Sequence, residues 1–250
     1  MSDARKEQER EELHRAIWAI ADSLRGAVGG WEFKSYVLGT MFYRYISENL
    51  RDYVNKGEYE SGDKDFDYAT LTDEKAMEIK ADIVQEKGFF ILPSELFCNV
   101  RAKAKNDENL NETLEKVFND IESSSQGSEA EGDFTGLFDD FDVNSKNLGS
   151  TVAKRNEKLV KLLDGVGNMK LGNIYESSID AFGDAYEYLM GMYASNAGKS
   201  GGEFFTPAEV SELLTRLGTV NKKEINKVYD MFMQRLIQFN YFRDFLPLAG

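Results

Sequence analysis

The sequence predicts a mainly α-helical chain, and three observations carry that reading. Apolar residues recur at three- and four-residue spacing along most of its length, as one-faced helices require. One segment, Glu32 to Leu50, is apolar nearly all round, the pattern of a helix at the centre of a bundle. The helix-start signal at Thr206-Pro207-Ala208-Glu209 is the best in the chain. It places a threonine at the cap, proline at the first helical position and glutamate at the third.

Taken in order, the first helix is expected from about Ala4 to Arg25, with Leu13, Ile17, Ile20 and Leu24 on one face and Gly26, Gly29 and Gly30 closing it. The second helix carries Phe33, Tyr36, Val37, Met41, Phe42, Tyr45 and Ile46. Asn55 to Tyr68 is polar and reads as a loop. Thr72 to Gln85 reads as one short helix bearing Ala76, Ile79 and Ile83. Phe89-Phe90-Ile91-Leu92-Pro93 is too brief for a globular helix and is stopped by proline, so a strand-like or extended run is expected. Ser94 is the candidate cap of a short helix through Leu96 and Phe97.

Leu110, Leu114, Val117, Phe118 and Ile121 mark a further amphipathic helix. Ser123 to Asp133, rich in Ser, Gly and Glu, reads as a flexible loop. Phe134, Leu137, Phe138 and Phe141 then suit a loop pinned by aromatics. Val152, Leu159, Val160 and Leu163 give a helix ending near Gly165, where a domain boundary is expected. Beyond it Ile179, Phe182, Tyr186, Leu189 and Tyr193 form another stripe, on a helix ending near Gly198. A Gly-rich loop follows, then the capped helix with Val210, Leu213, Leu214 and Leu217, closed by Gly218. Lys227-Val228-Tyr229-Asp230 reads as a short strand with an acidic end.

Composition removes several classes of function. The net charge of −14 argues against a stand-alone duplex-DNA binder, whose affinity comes largely from phosphate contacts. An acidic chain can still act on DNA when a partner supplies the basic groove. Cys98 is the only cysteine and His14 the only histidine, so internal disulfides, thiolate cages and two-histidine zinc sites are excluded. No apolar run reaches the roughly 20 residues of a membrane span, and Met1 to Glu12 is charged rather than signal-like. A cytoplasmic protein without membrane contact is expected.

Most isolated candidates read as structural. Gly198-Lys199-Ser200 invites a phosphate loop, but that motif needs a glycine where Tyr193 stands and a strand where a helix is expected. His14 has no nucleophile beside it and is expected at a surface or boundary. Cys98, next to Phe97, is expected to be a small buried side chain. The Thr206 helix start, taken alone, is no more than a well-capped helix.

Its context changes that. Gly202-Glu203-Phe204-Phe205-Thr206-Pro207 follows Gly88-Phe89-Phe90-Ile91-Leu92-Pro93-Ser94-Glu95-Leu96-Phe97 and Gly183-Asp184-Ala185-Tyr186-Glu187-Tyr188-Leu189, and precedes the strand ending in Asp230. In this order, from Leu13 to about Asp230, the sequence resembles the N6-adenine DNA methyltransferases that form the modification subunits of type I restriction–modification systems. The resemblance implies a helical domain over residues 1–165 and, over residues 166–230, the beginning of a truncated Rossmann-like α/β methyltransferase domain. It also implies contact between S-adenosylmethionine and Glu203, Phe204, Phe205, Thr206, Pro207 and Ala208. An aromatic pair can pack on such a cofactor, and a cap hydroxyl with free helix-start N–H groups can hold a carboxylate. The partners implied are a specificity subunit, a second modification subunit, a restriction subunit and, through the complex, DNA.

The sequence also departs from that family. After the strand the family places proline and a Gly-rich turn, which lets backbone approach the cofactor. Here Met231-Phe232-Met233-Gln234-Arg235-Leu236 follows Asp230. The family holds the flipped adenine with an Asn-Pro-Pro-aromatic or Asp-Pro-Pro-aromatic turn. The three prolines here, Pro93, Pro207 and Pro247, are never adjacent, so no catalytic residue is assigned. Residues 231–250 form an atypical apolar tail, either a substitute helix or, as the abrupt change favours, an unrelated sequence joined at Asp230. The expectation is a chain inactive alone in methyl transfer. The alternatives are a binding module that docks on the specificity subunit or on intact modification subunits, and an unrelated helical protein.

Overall fold

A computed structural model describes residues 3–24, 30–169, 181–193 and 208–220. Every regular element among them is helical. The first two helices are α1, Asp3–Ser23, and α2, Gly30–Ser61. Leu13, Ile17, Ile20 and Leu24 of the α1 stripe are all buried, as the three-four spacing requires. Gly30 opens α2 rather than closing α1. Within α2, Tyr36, Val37, Met41, Tyr43 and Leu50 are almost completely buried, which fits its expected central place.

Two expectations near the end of α2 are corrected. Asn55 to Tyr68 is not all loop, because α2 continues to Ser61. The added turns are built from helix-forming Lys and Glu with a Lys56–Glu60 pair, so they lack the apolar period that would have marked them. Gly62, at φ 112°, then takes a conformation that side chains disfavour and ends the helix region. Thr72 to Gln85 is two helices, α3 (Asp73–Glu78) and α4 (Lys80–Lys87), divided at Ile79 where ψ is 2°. Thr72 caps α3 by accepting from the Lys75 N–H, and Gly88 closes α4 at φ 80°.

Residues 89–92 form no strand. Leu92 is extended, and the chain turns through a 3-10 turn at Pro93–Glu95 into α5, Phe97–Lys103. Ser94 caps nothing: its hydroxyl donates to Asp73 Oδ2 at 2.7 Å, fastening the turn to α3. Cys98 is exposed on α5, not buried, because Phe97 and Val100 take the inner face. The next helix, α6 (Leu110–Ser124), buries Leu110, Leu114, Val117, Phe118 and Ile121 as their spacing predicts.

The stretch from Ser123 to Asp133 is a built turn. Ser124 and Ser125 are buried, Ser128 donates to the Gly88 carbonyl at 2.9 Å, and one short helix, α7 (Glu131–Phe134), ends it. Aromatic pinning of the following loop stands. Phe138 stacks on Phe118 with centroids 4.1 Å apart, Phe141 meets Tyr36 edge-on at 5.0 Å, and Tyr36 donates to the Asp142 carbonyl at 2.7 Å.

The last described helices are α8 (Val152–Gly167), α9 (Ala181–Tyr193) and α10 (Ala208–Thr219). Gly218 lies inside α10 rather than closing it. The core of the fold is a set of four helices: α1 and α2 each pack against both α8 and α9. The α5 and α6 helices close the other side of α8. The Rossmann-like start expected at Lys227 to Asp230 lies outside the described residues, as does the tail.

Candidate functional site

Of the residues expected to touch S-adenosylmethionine, Glu203, Phe204, Phe205, Thr206 and Pro207 lie outside the described residues, and Ala208 is the first residue of α10. Val210, Leu213, Leu214 and Leu217 on that helix are exposed. On the upstream side, α9 sits in the bundle: Ala185 and Leu189 are fully buried, Arg10 pairs with Asp184 at 3.0 Å, and His14 stacks flat on Tyr188 at 4.0 Å. Burial, with Arg10 adding to it, lowers the His14 pKa. His14 is thus half-buried at a helix seam, the boundary position expected of it.

Three polar clusters hold the bundle together, and no spacing rule announced them. The first surrounds Glu95, a buried carboxyl at 6% exposure on the 3-10 turn. Lys116 of α6 donates to Glu95 Oε1 and, at 2.5 Å, to Asp120 Oδ2. Tyr43 donates to the Glu95 carbonyl. Burial pushes the Glu95 carboxyl up to about 7 against the pull of Lys116, and neighbouring Asp120 adds to the rise. Burial alone would raise Asp120 too, but hydrogen bonds from Lys116 and Glu95 hold it below its ordinary value.

The second cluster finishes α8. Arg44 donates to the carbonyls of Val166 and Met169, both at 2.8 Å, and so satisfies groups that a helix end leaves open. Arg101 pairs with Asp164 at 3.3 Å beside them, and Lys105 reaches the same carboxylate at 3.1 Å. In the third, Arg51 grips Asp67 through two hydrogen bonds of 2.8 and 2.6 Å. The Arg51 hydrogen bond is the largest influence that holds Asp67 below the usual carboxylate range.

None of these clusters has the form of a catalytic centre. Each joins elements through paired charges, and the Cys98 thiol near the Arg51–Asp67 pair is not activated, because burial pushes its pKa up. Among the described residues no three His, Cys, Asp or Glu side chains are grouped to hold a metal ion. A cleft of about 710 Å³ lies between the end of α2 and α3–α4, lined by Tyr53, Tyr59, Ile79, Ile83 and Lys87 among others. It is remote in sequence from residues 203–208. No helix among the described residues is long and apolar enough to cross a membrane.

Comparison with known proteins supplies the identity that these clusters do not. Residues 13–166 match the family described as HsdM N-terminal domain, and residues 177–234 match the family described as N-6 DNA Methylase. The order of the matches defines a class, a helical domain followed by similarity to DNA methylases. The chain belongs to the methylase subunits of type I restriction enzymes. It is 48% identical over 236 residues to the type I restriction enzyme MpnII methylase subunit of Mycoplasma pneumoniae, covering 92% of this chain and 43% of that protein. It is 22% identical over 209 residues to the MjaIX methylase subunit of Methanocaldococcus jannaschii, covering 81% of this chain and 34% of that one.

Among solved structures, the type I restriction–modification system methyltransferase subunit of Streptococcus thermophilus superposes with a TM-score of 0.66 at 28% identity. That likeness covers 87% of this chain and 45% of that one. The chain therefore spans less than half the length of these relatives.

Proposed function

We propose that this chain supplies the helical domain and one wall of the donor pocket of a type I modification subunit, and that alone it does not transfer a methyl group. The reading rests on one observation above others: 48% identity to a type I methylase subunit runs through nearly the whole chain, yet its 250 residues hold no two adjacent prolines. On this reading residues 1–165 are the helical domain, residues 166–230 begin a Rossmann-like methyltransferase domain, and residues 231–250 are an atypical apolar tail, the first four residues of which still fall within the methylase-family match.

S-adenosylmethionine would supply the methyl group for transfer to adenine N6 in DNA. Glu203, Phe204, Phe205, Thr206, Pro207 and Ala208 would hold it. Phe204 and Phe205 provide apolar surface for packing, and the Thr206 hydroxyl and the N–H groups at the start of α10 suit its carboxylate. Residues that act on the adenine are not assigned, because the Pro-Pro turn that grips a flipped base is missing from this sequence. A specificity subunit, a second modification subunit and a restriction subunit are the proposed partners, with DNA reached through the complex in the cytoplasm. The chain's −14 charge suits such delegation of phosphate contact. A filter assay with labelled donor, duplex DNA and the cognate specificity subunit tests the claim; turnover above background overturns it.

A second reading treats the chain as a docking module. It is favoured by the well-packed bundle, which needs no donor pocket to present a surface to a partner. Co-purification of the whole chain with the specificity subunit tests this reading, and failure to retain that subunit at micromolar concentration rejects it.

A further inference from the structure

The cleft of about 710 Å³ between the end of α2 and α3–α4 falls within the size range of ligand-binding clefts. Its walls are two helical rows. Tyr53 and Gly57 stand one turn apart on α2, and Ile79, Ile83 and Lys87 follow at four-residue spacing from the α3–α4 junction. Tyr53 donates to Glu86, and Lys87 Nζ lies 4.1 Å from the centroid of the Tyr53 ring. These contacts tie the last turn of α4 to α2 one turn before Gly57. Ile83 is buried, while Tyr59 is 43% exposed.

No structural need for glycine shows at position 57. It lies inside α2, where glycine is among the poorest helix formers, and its φ is not positive. A Cβ built on it would meet nothing within 4 Å among the described residues. The missing side chain leaves backbone open in the cleft, where another group can approach closely. The surroundings are acidic. Residues 52–87 hold eleven Asp and Glu against five Lys, a net −6 out of the chain's −14. Asp52, Glu58 and Glu60 line the cleft itself. Its lysines are engaged within the fold, Lys56 with Glu60 at 3.9 Å and Lys87 on Tyr53.

We propose that this cleft is a docking groove for a basic segment of a protein partner. An aliphatic or aromatic side chain of the partner sits over Gly57 against Ile79 and Ile83, and its flanking Lys or Arg residues meet the acidic rim. A second copy of this chain is the poorer occupant, because two chains of charge −14 repel each other. The groove uses none of residues 203–208 and stands independently of the donor-pocket reading.

Fluorescence anisotropy of the whole chain with short labelled peptides tests the proposal. A peptide of Leu and Lys should bind saturably, a Ser and Lys peptide of equal charge roughly tenfold more weakly or worse, and a Leu and Glu peptide not at all. Gly57→Leu keeps every charge and fills the groove. It should weaken the Leu and Lys peptide by roughly tenfold or more while the melting midpoint holds or rises, leucine being the better helix former. Should that midpoint fall instead, a second comparison decides. Glu58→Gln with Glu60→Gln should weaken binding more than Glu129→Gln with Asp140→Asn, two exposed acids outside the cleft. Absence of saturable binding, or equal affinity of parent and Gly57→Leu, overturns the groove, since attraction to overall charge then explains everything. Equal loss from both acid pairs overturns the acidic rim. A dimer of the chain alone in sedimentation, dissolved by Gly57→Leu, overturns the choice of partner.

Discussion

Burial holds the Glu95 carboxyl near neutrality while Lys116 and Asp120 act on its proton in opposite senses. Its pKa rises from an ordinary 4.5 to about 7 in the folded chain, so the fold favours the protonated form. The stability this adds is fully present below about pH 4.5 and is lost as pH rises through about 7. Glu95→Gln keeps a neutral hydrogen-bonding side chain, and relative to it the parent should lose about 2–3 kcal/mol between pH 5 and pH 8. Urea melts at the two pH values measure the difference; parallel behaviour of the two proteins would contradict it. A second residue-scale test concerns Gly39, where an added Cβ would stand 2.7 Å from Cδ2 of buried Phe141. That ring is held edge-on by Tyr36 and Phe118 and has little room to retreat. Gly39→Ala should destabilise by about 1–3 kcal/mol from overpacking, against roughly 1 kcal/mol gained in helix propensity. A midpoint equal to or above the parent's would show that the ring yields freely.

Helix termini and crossings decide the next level. Arg44 places one guanidinium on two carbonyls at the end of α8, and Gly165 lets α1 come so close that an added Cβ would lie 2.5 Å from Ile20 Cγ1. Arg44→Ala should cost about 1.5–3 kcal/mol, the range for hydrogen bonds to a charged group, with exchange rising first in the last turn of α8. Uniform loss across the bundle would instead assign Arg44 a core-packing role.

Elements with one apolar face were legible in the sequence: Leu110, Leu114, Val117 and Ile121 of α6, or Leu13, Ile17, Ile20 and Leu24 of α1. The end of α2 was not, because Arg51 to Ser61 is polar on most sides; among its residues only Val54 and Asn55 are buried, the latter accepting from the Tyr68 N–H at 2.8 Å. The break at Ile79 carries neither glycine nor proline to signal it. Glu95, Tyr43 and Lys116 are far apart in the chain, and only the fold brings them together. Residues 203–207 read as a capped helix start in a family context; they lie outside the described residues, and the described part of α10 runs from Ala208.

For the whole molecule, acidity and division of labour govern what to expect. With a net charge of −14 the chain alone should not retard duplex DNA in a gel at physiological salt, since it lacks the excess of cations that phosphate binding requires. A discrete shifted band at micromolar protein would contradict that. Catalytic competence is the larger question, and the relatives' extra length makes it experimentally accessible. Residues 1–230 can be fused to the part of the Mycoplasma pneumoniae MpnII methylase subunit that follows the matching position, then compared with the 250-residue chain in one assay of labelled methyl transfer to DNA, each with a matching specificity subunit. The fusion should transfer methyl groups and the 250-residue chain should remain at background. Transfer by the 250-residue chain, or silence from a folded fusion, would contradict the proposal that residues 203–208 form one working wall of a pocket whose remaining parts lie outside these 250 residues.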